Sequence, residues 1–291
     1  MFRGSGSVSI GQDLIPDDDN DSSNCNSQNK APYNLSLTDL QLADTSIGDS
    51  LLHYLKQSDE EYPVSAIYSP NDDTPIPLYW GELIPLLLML REAASGLREE
   101  EDGYYDDVKG DLLPFQPLIW TFPHRRYTKS PEMVPELLRL GGDVMKWIVQ
   151  RPERIGVIVS GDLSHTHLEN GPYGYSPASA TYDKAIGSWA GNSKSSYSNP
   201  CHPEAEDALI YEARSLQPRA MSCGFTGYVM WHGMMMCDNN EEEGTPRFQS
   251  TLLANGNVTY YGMCCALFET REDEATVFER IIPSAEMTVQ M

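Results

Sequence analysis

Leu118-Ile119-Trp120-Thr121-Phe122, a helical pattern that Ser130-Pro131 opens and that runs to about Val149, and Ile155-Gly156-Val157-Ile158-Val159-Ser160-Gly161 succeed one another in the chain. The first and last stretches are rich in β-branched and aromatic residues, as strands are, and Pro suits the first turn of a helix. Strand, helix and strand in this order indicate a right-handed parallel crossover. The fold class expected is α/β: a single domain with a central, mostly parallel sheet flanked by helices.

Working outward, VSAIYS at 64–69 is a short β-prone run between Pro63 and Pro70. Leu37 to Lys56 carries apolar residues at helical spacing, broken near Asp44 to Ser46, where Thr45 or Ser46 can cap a second helix. Trp80 to Ala94 reads as a buried helix with Pro85 as its awkward residue, and an acidic loop, 98–111, comes after it. Tyr182 to Trp189 and Glu204 to Ser215 read as helices. GFTGYVMWHGMMM at 224–236 is apolar throughout, so periodicity leaves strand and helix open. VTYYGMCCALFE at 258–269 reads as a strand.

Residues 1–35 are rich in Ser, Asn, Asp and Gly and are expected to be a flexible acidic and polar segment, because they hold too few large apolar groups to offset the entropy of ordering. The folded domain is expected over 36–285. No apolar window reaches the roughly 18 residues of a membrane span. The first residues lack the apolar core of a secretion signal. The six cysteines form no CxxC pair, which argues against a zinc site or a disulfide framework. A cytoplasmic setting is expected. With 43 acidic residues against 20 basic ones, the net charge of -23 repels phosphate backbones and anionic membranes. Neither nucleic acid nor membrane is an expected partner.

The stretch richest in chemistry is Ser160-Gly161-Asp162-Leu163-Ser164-His165, with Gly171-Pro172-Tyr173-Gly174-Tyr175 and Tyr182-Asp183 downstream. A hydrophobic run ending in Ser-Gly-Asp delivers polar side chains to a sheet's carboxyl edge, where ligands bind. Imidazole takes and returns protons near neutral pH, and Asp162 is placed to orient His165. His165 and His167, two residues apart, would share a side in an extended chain. With Asp72 or Asp162 they would make a two-His-one-carboxylate set in principle. Ser160 or Ser164 beside His165 also leaves open a hydrolase. His232 reads as a satisfied core or interface histidine. The Met234-Met235-Met236 run reads as packing, and His53, His124 and His202 have no chemical neighbourhood. No GxSxG elbow, P-loop or GxGxxG turn occurs.

These motifs resemble those of the class III extradiol ring-cleavage dioxygenases of the LigB-like family, particularly its Memo-related branch. The likeness extends to Thr74-Pro75-Ile76-Pro77-Leu78-Tyr79-Trp80, Cys223-Gly224 and Tyr261-Gly262-Met263, so it covers about residues 60–270. It implies a non-haem Fe(II) enzyme in which two histidines and a carboxylate hold iron and leave room for a catechol-like aromatic and dioxygen. His165 matches the family's acid/base histidine. Tyr173, Asp162, His167, Asp72 and Ser222 are the further pocket positions.

The family's His-x-Pro and Ser-Pro-His motifs have no counterpart, since no histidine precedes His53. Residues 1–35 resemble the segment that normally lies just after the second motif, and the chain is expected to be truncated or degenerate relative to the family. Ser222 stands where the ligating glutamate is expected, and Asp72 falls where an Asp-His-Gly-Thr histidine belongs. No metal-ligand set is recoverable from the sequence. Two functions remain expected: a ring-cleaving dioxygenase of a catechol-like substrate and, as the alternative, an inactive relative acting as a binding or scaffold protein. A homodimer is the assembly the resemblance suggests.

Overall fold

The computed structural model describes residues 7–10, 46–58, 62, 64–67, 81, 84–86, 88–89, 118–121, 128–191, 199–236 and 248–270. It is a mixture of helices and strands. β1 (Ser7–Ile10) pairs antiparallel with β2 (Val64–Ile67) and parallel with β3 (Trp120–Thr121). β4 (Phe248–Asn257) and β5 (Gly262–Thr270) form an antiparallel hairpin with a register shift between Leu252 and Ala254. The helices are α1 (Ser46–Gln57), α2 (Val134–Ile148), α3 (Ala178–Ala190), α4 (Pro203–Asp207), α5 (Arg214–Ala220) and α6 (Phe225–Met236). A π-helical turn, Ala208–Ala213, joins α4 to α5.

α2 is amphipathic: Val134, Leu137, Leu140, Val144, Met145 and Trp147 are buried at helical spacing while Arg139 and Lys146 face solvent. Ser130–Met133 leads into it as a 3-10 turn, with Pro131 in the first turn and Pro135 at the start of the α-helix proper. Its partner is α6, and the two lie close because glycines occupy the crossing. A Cβ at Gly141 would collide with the Met230 carbonyl, and one at Gly233 with the Leu138 carbonyl. Burying Leu137 and Leu140 here contributes about 1.5–3 kcal/mol each. α6 is buried on nearly every side, which explains why its sequence shows no polar face. α1 adds Leu51 and Leu55 to the same core, and α3 adds Tyr182, Ile186 and Trp189.

Several expectations need correcting. Ile155–Gly161 does not form a buried strand: it lies outside every helix and strand, with Ile158 55% exposed and Ile155 and Val157 exposed too. A strand exists only through its ladder, and no described strand bonds to this run. Ser7–Ile10, inside the segment expected to be flexible, is the middle strand of its sheet; the rest of 1–35 lies outside the described residues. Around 80–94 the described residues are helical, but Ile84 and Leu88 are exposed and Leu86 buried, so that helix is one-sided. Val258–Tyr261 is the hairpin turn, and the strand starts at Gly262. Among the described residues no helix is long and apolar enough to cross a membrane.

Candidate functional site

The site forms where Gly161–His167 is clamped between the hairpin turn and the turn ahead of α6. On one side, Leu163 N–H donates to the Gly262 carbonyl (2.9 Å), Gly262 N–H to the Ser164 carbonyl (2.8 Å), and His167 N–H to the Tyr260 carbonyl (3.0 Å). On the other, His165 N–H donates to the Ala220 carbonyl at 2.8 Å. α5 ends there because Met221 adopts the left-handed conformation (φ 57°), a strained choice for a residue with a side chain. That reversal turns Ser222 and Cys223 back onto Asp162. The Ser222 hydroxyl and Gly224 N–H both donate to the Asp162 carbonyl, at 2.8 and 3.3 Å. Gly161 and Gly224 approach so closely that a Cβ on Gly161 would sit 2.5 Å from the Gly224 Cα.

Three polar side chains converge at this clamp. Asp162 Oδ2 lies 3.3 Å from His165 Nε2, and the Asp162 amide donates to Cys223 Sγ at 3.0 Å. One donor atom each from Asp162, His165 and Cys223 falls within 4.8 Å of the others. His165 is buried, whereas the Asp162 side chain is 45% exposed and Cys223 is exposed, so the group opens to solvent. Burial disfavours charge on the His165 ring, but the Asp162 carboxylate and the Cys223 side chain together outweigh it and push its pKa up to about 9.

Tyr173 closes one face of His165, with ring centroids 5.2 Å apart and planes 26° from parallel, and Tyr260 stands edge-on at 6.3 Å. Local sequence explains the first contact. Gly171 N–H bonds back to the Leu168 carbonyl, and Gly174 takes a left-handed φ of 70° that favours glycine. The loop thus folds back, with His167 and Tyr175 bridged and Ser176 N–H donating to the Thr166 carbonyl.

Not every expected site residue joins this group. His167 diverges from His165: its Nε2 meets Asp183 Oδ2 at 2.7 Å in a nearly buried pair, and the other Asp183 oxygen accepts from Ser164 N–H. Burial pushes the Asp183 carboxyl pKa up, against the opposing pull of those two partners. The two-histidine set on His165 and His167 is therefore not assembled. Ser222 acts through its carbonyl and hydroxyl as a brace, since the Gln217 amide also donates to its carbonyl at 2.8 Å. Ser164 is fully buried and donates to the Ala220 carbonyl at 3.1 Å, which removes it as a nucleophile. Asp72 and His124 lie outside the described residues. His232 is a core residue that accepts from Trp189 Nε1 at 3.3 Å. His202 caps α4 by accepting from Glu204 N–H.

Cys223, Asp183 and Tyr260 are the residues that sequence reasoning left without a role. Asp183 was visible only as part of Tyr182-Asp183, and the approach of Cys223 to Asp162 spans 61 positions, which no local pattern reveals. The Fe(II) implied by the resemblance needs two imidazoles and a carboxylate. The gathered side chains offer one imidazole, one carboxylate and one thiol, a donor set that does not fit that iron.

No family profile matches this chain. A 51-residue stretch, 18% of the chain, is 47% identical to a protein of Clostridium acetobutylicum described only as Protein CA_C1420, and it covers 11% of that protein's length.

Proposed function

We propose that this chain is a LigB-like protein, built on a central, mostly parallel sheet flanked by helices, that binds a catechol-like aromatic at His165 through a hydrogen bond from the imidazole to a phenolic oxygen. The observation that carries the reading is the setting of His165: a buried imidazole beside a carboxylate at 3.3 Å, stacked on Tyr173 and open to solvent on the Cys223 side. An imidazole N–H donates to a phenolic oxygen, and flanking tyrosines offer faces and edges to a flat ring. The parallel pairing of β1 with β3, with α2 next in the chain, supports the sheet.

Ring cleavage by dioxygen at non-haem Fe(II) needs ligands that the gathered side chains do not supply. The binding form of the reading is therefore the one adopted, with the dioxygenase form as its rival. Calorimetric titration of the full chain with catechol, without metal and under argon, tests it. Wild type is expected to bind, and His165→Ala to bind roughly tenfold more weakly, the loss of a hydrogen bond. Catechol-dependent oxygen uptake after Fe(II) addition, abolished in His165→Ala, would replace the binding form by the dioxygenase. Failure of wild type to bind catechol with or without Fe(II) would refute both.

A further inference from the structure

We infer that Asp162, His165 and Cys223 form a site for a thiophilic divalent cation of the zinc class, held by three protein donors with the fourth position open to solvent. The inference goes beyond the aromatic-binding reading and does not depend on it. Three donor types meet here: a carboxylate oxygen, an imidazole nitrogen and a sulfur, all within 4.8 Å of one another. Zinc bonds of about 2.0–2.3 Å in a tetrahedron place donor atoms roughly 3.3–3.8 Å apart. The Asp162 Oδ2 to His165 Nε2 separation of 3.3 Å already has that spacing. Side-chain adjustment of about 1 Å brings the wider separations into the same range.

The backbone holds these donors in place before any ion arrives. Asp162 and Cys223 are tied to each other through the Asp162 carbonyl, which accepts from Ser222 Oγ and Gly224 N–H, and through the Gly161–Gly224 contact. The Asp162 amide donates to Cys223 Sγ at 3.0 Å, which holds the sulfur beside the Asp162 backbone. The chemistry of the set chooses the ion. A sulfur donor disfavours Mg2+ and Ca2+, which take oxygen, and a single imidazole does not make the iron facial triad. Mixed oxygen, nitrogen and sulfur ligation with an open position is the pattern of a reactive rather than a sealed structural zinc site. An ion on His165 occupies the nitrogen that would otherwise serve the aromatic ligand, so the two occupants are alternatives.

The test is an anaerobic Co(II) titration of the reduced full chain, read by absorption. One equivalent is expected to produce a sulfur-to-cobalt charge-transfer band in the near ultraviolet and the intense visible bands of four-coordinate cobalt, both removed by Zn(II). Cys223→Ser is expected to lose the charge-transfer band, and Asp162→Asn to bind at least about 10-fold more weakly. Cys265→Ser removes another exposed thiol and should leave the spectrum unchanged. Circular dichroism of each variant confirms folding. A folded wild type without the band, or a band that survives Cys223→Ser, overturns the inference. If cobalt binding fails while catechol still binds, this inference alone falls; if cobalt binds and catechol does not, the aromatic reading alone falls.

Discussion

His232 makes the core sensitive to acid. It is 1% exposed, and its Nδ1 accepts from Trp189 Nε1, so the neutral ring carries its proton on Nε2, which has no partner among the described residues. Burial drives its pKa down to about 4. In the unfolded chain the same ring titrates near 6.5. Above pH 6.5 both states hold it neutral and it adds no pH dependence. As pH falls below 6.5 the unfolded chain takes up the proton first, and stability drains until the folded value near 4 is passed. The full span is worth about 3 kcal/mol, and about 2 kcal/mol of it is lost between pH 7.5 and pH 5. His232→Gln keeps an acceptor in reach of Trp189 but cannot titrate. Urea unfolding of both proteins at pH 7.5 and pH 5 measures the difference. The variant is expected to lose about 2 kcal/mol less than wild type on acidification, whatever its offset at pH 7.5. Parallel losses in the two proteins would refute the reasoning, because they would show that His232 is not held neutral in the fold.

Asp183→Ala strips a nearly buried partner from both His167 and the Ser164 amide, and urea unfolding should show a loss of about 3–5 kcal/mol; a loss below about 1 kcal/mol would mean that the pair does not brace the site. Gly141→Ala forces a methyl group onto the Met230 carbonyl and is expected to cost about 2–3 kcal/mol, whereas Gly256→Ala, with open space around it, should stay within about 0.5 kcal/mol by the same assay. Tyr173→Ala should weaken catechol binding by about 2- to 12-fold in calorimetry, the worth of one aromatic contact, and Tyr173→Phe should retain it.

The helices that pack on one side were legible because their periodicity is local. The apolar spacing of 134–148 survives in α2, and the pattern from Ile47 to Leu55 survives in α1. α6 could not be assigned because burial all round erases the polar face that distinguishes a helix from a strand. Ile155–Gly161 misled for a different reason: its β-branched residues state a preference, but pairing and cover must come from elsewhere in the chain. At the site, Asp162, His165 and Tyr173 were legible as a compact motif. Cys223, and the choice of His167 for Asp183, were not, since both depend on contacts between distant segments.

Which groups remain for chemistry depends on which are already bound into the scaffold. Ser164 is held between Thr166 and the Ala220 carbonyl, Thr166 between Ser179 and the Arg219 carbonyl, and Ser222 on the Asp162 carbonyl. His167 and Asp183 satisfy each other, and the Tyr228 hydroxyl donates to the Gly161 carbonyl at 2.8 Å. Buried polar groups need such partners, and removing one would cost about 1–3 kcal/mol. These groups therefore fix the shape of the clamp and are not free to react. The same network pins the backbones of Asp162, His165 and Cys223, whose side chains turn toward one another, with His165 buried and Asp162 and Cys223 reaching solvent. A rigid frame carrying three such side chains at one opening suits a ligand or metal site, because the backbone that presents the donors is ordered before anything binds and only side-chain adjustment remains.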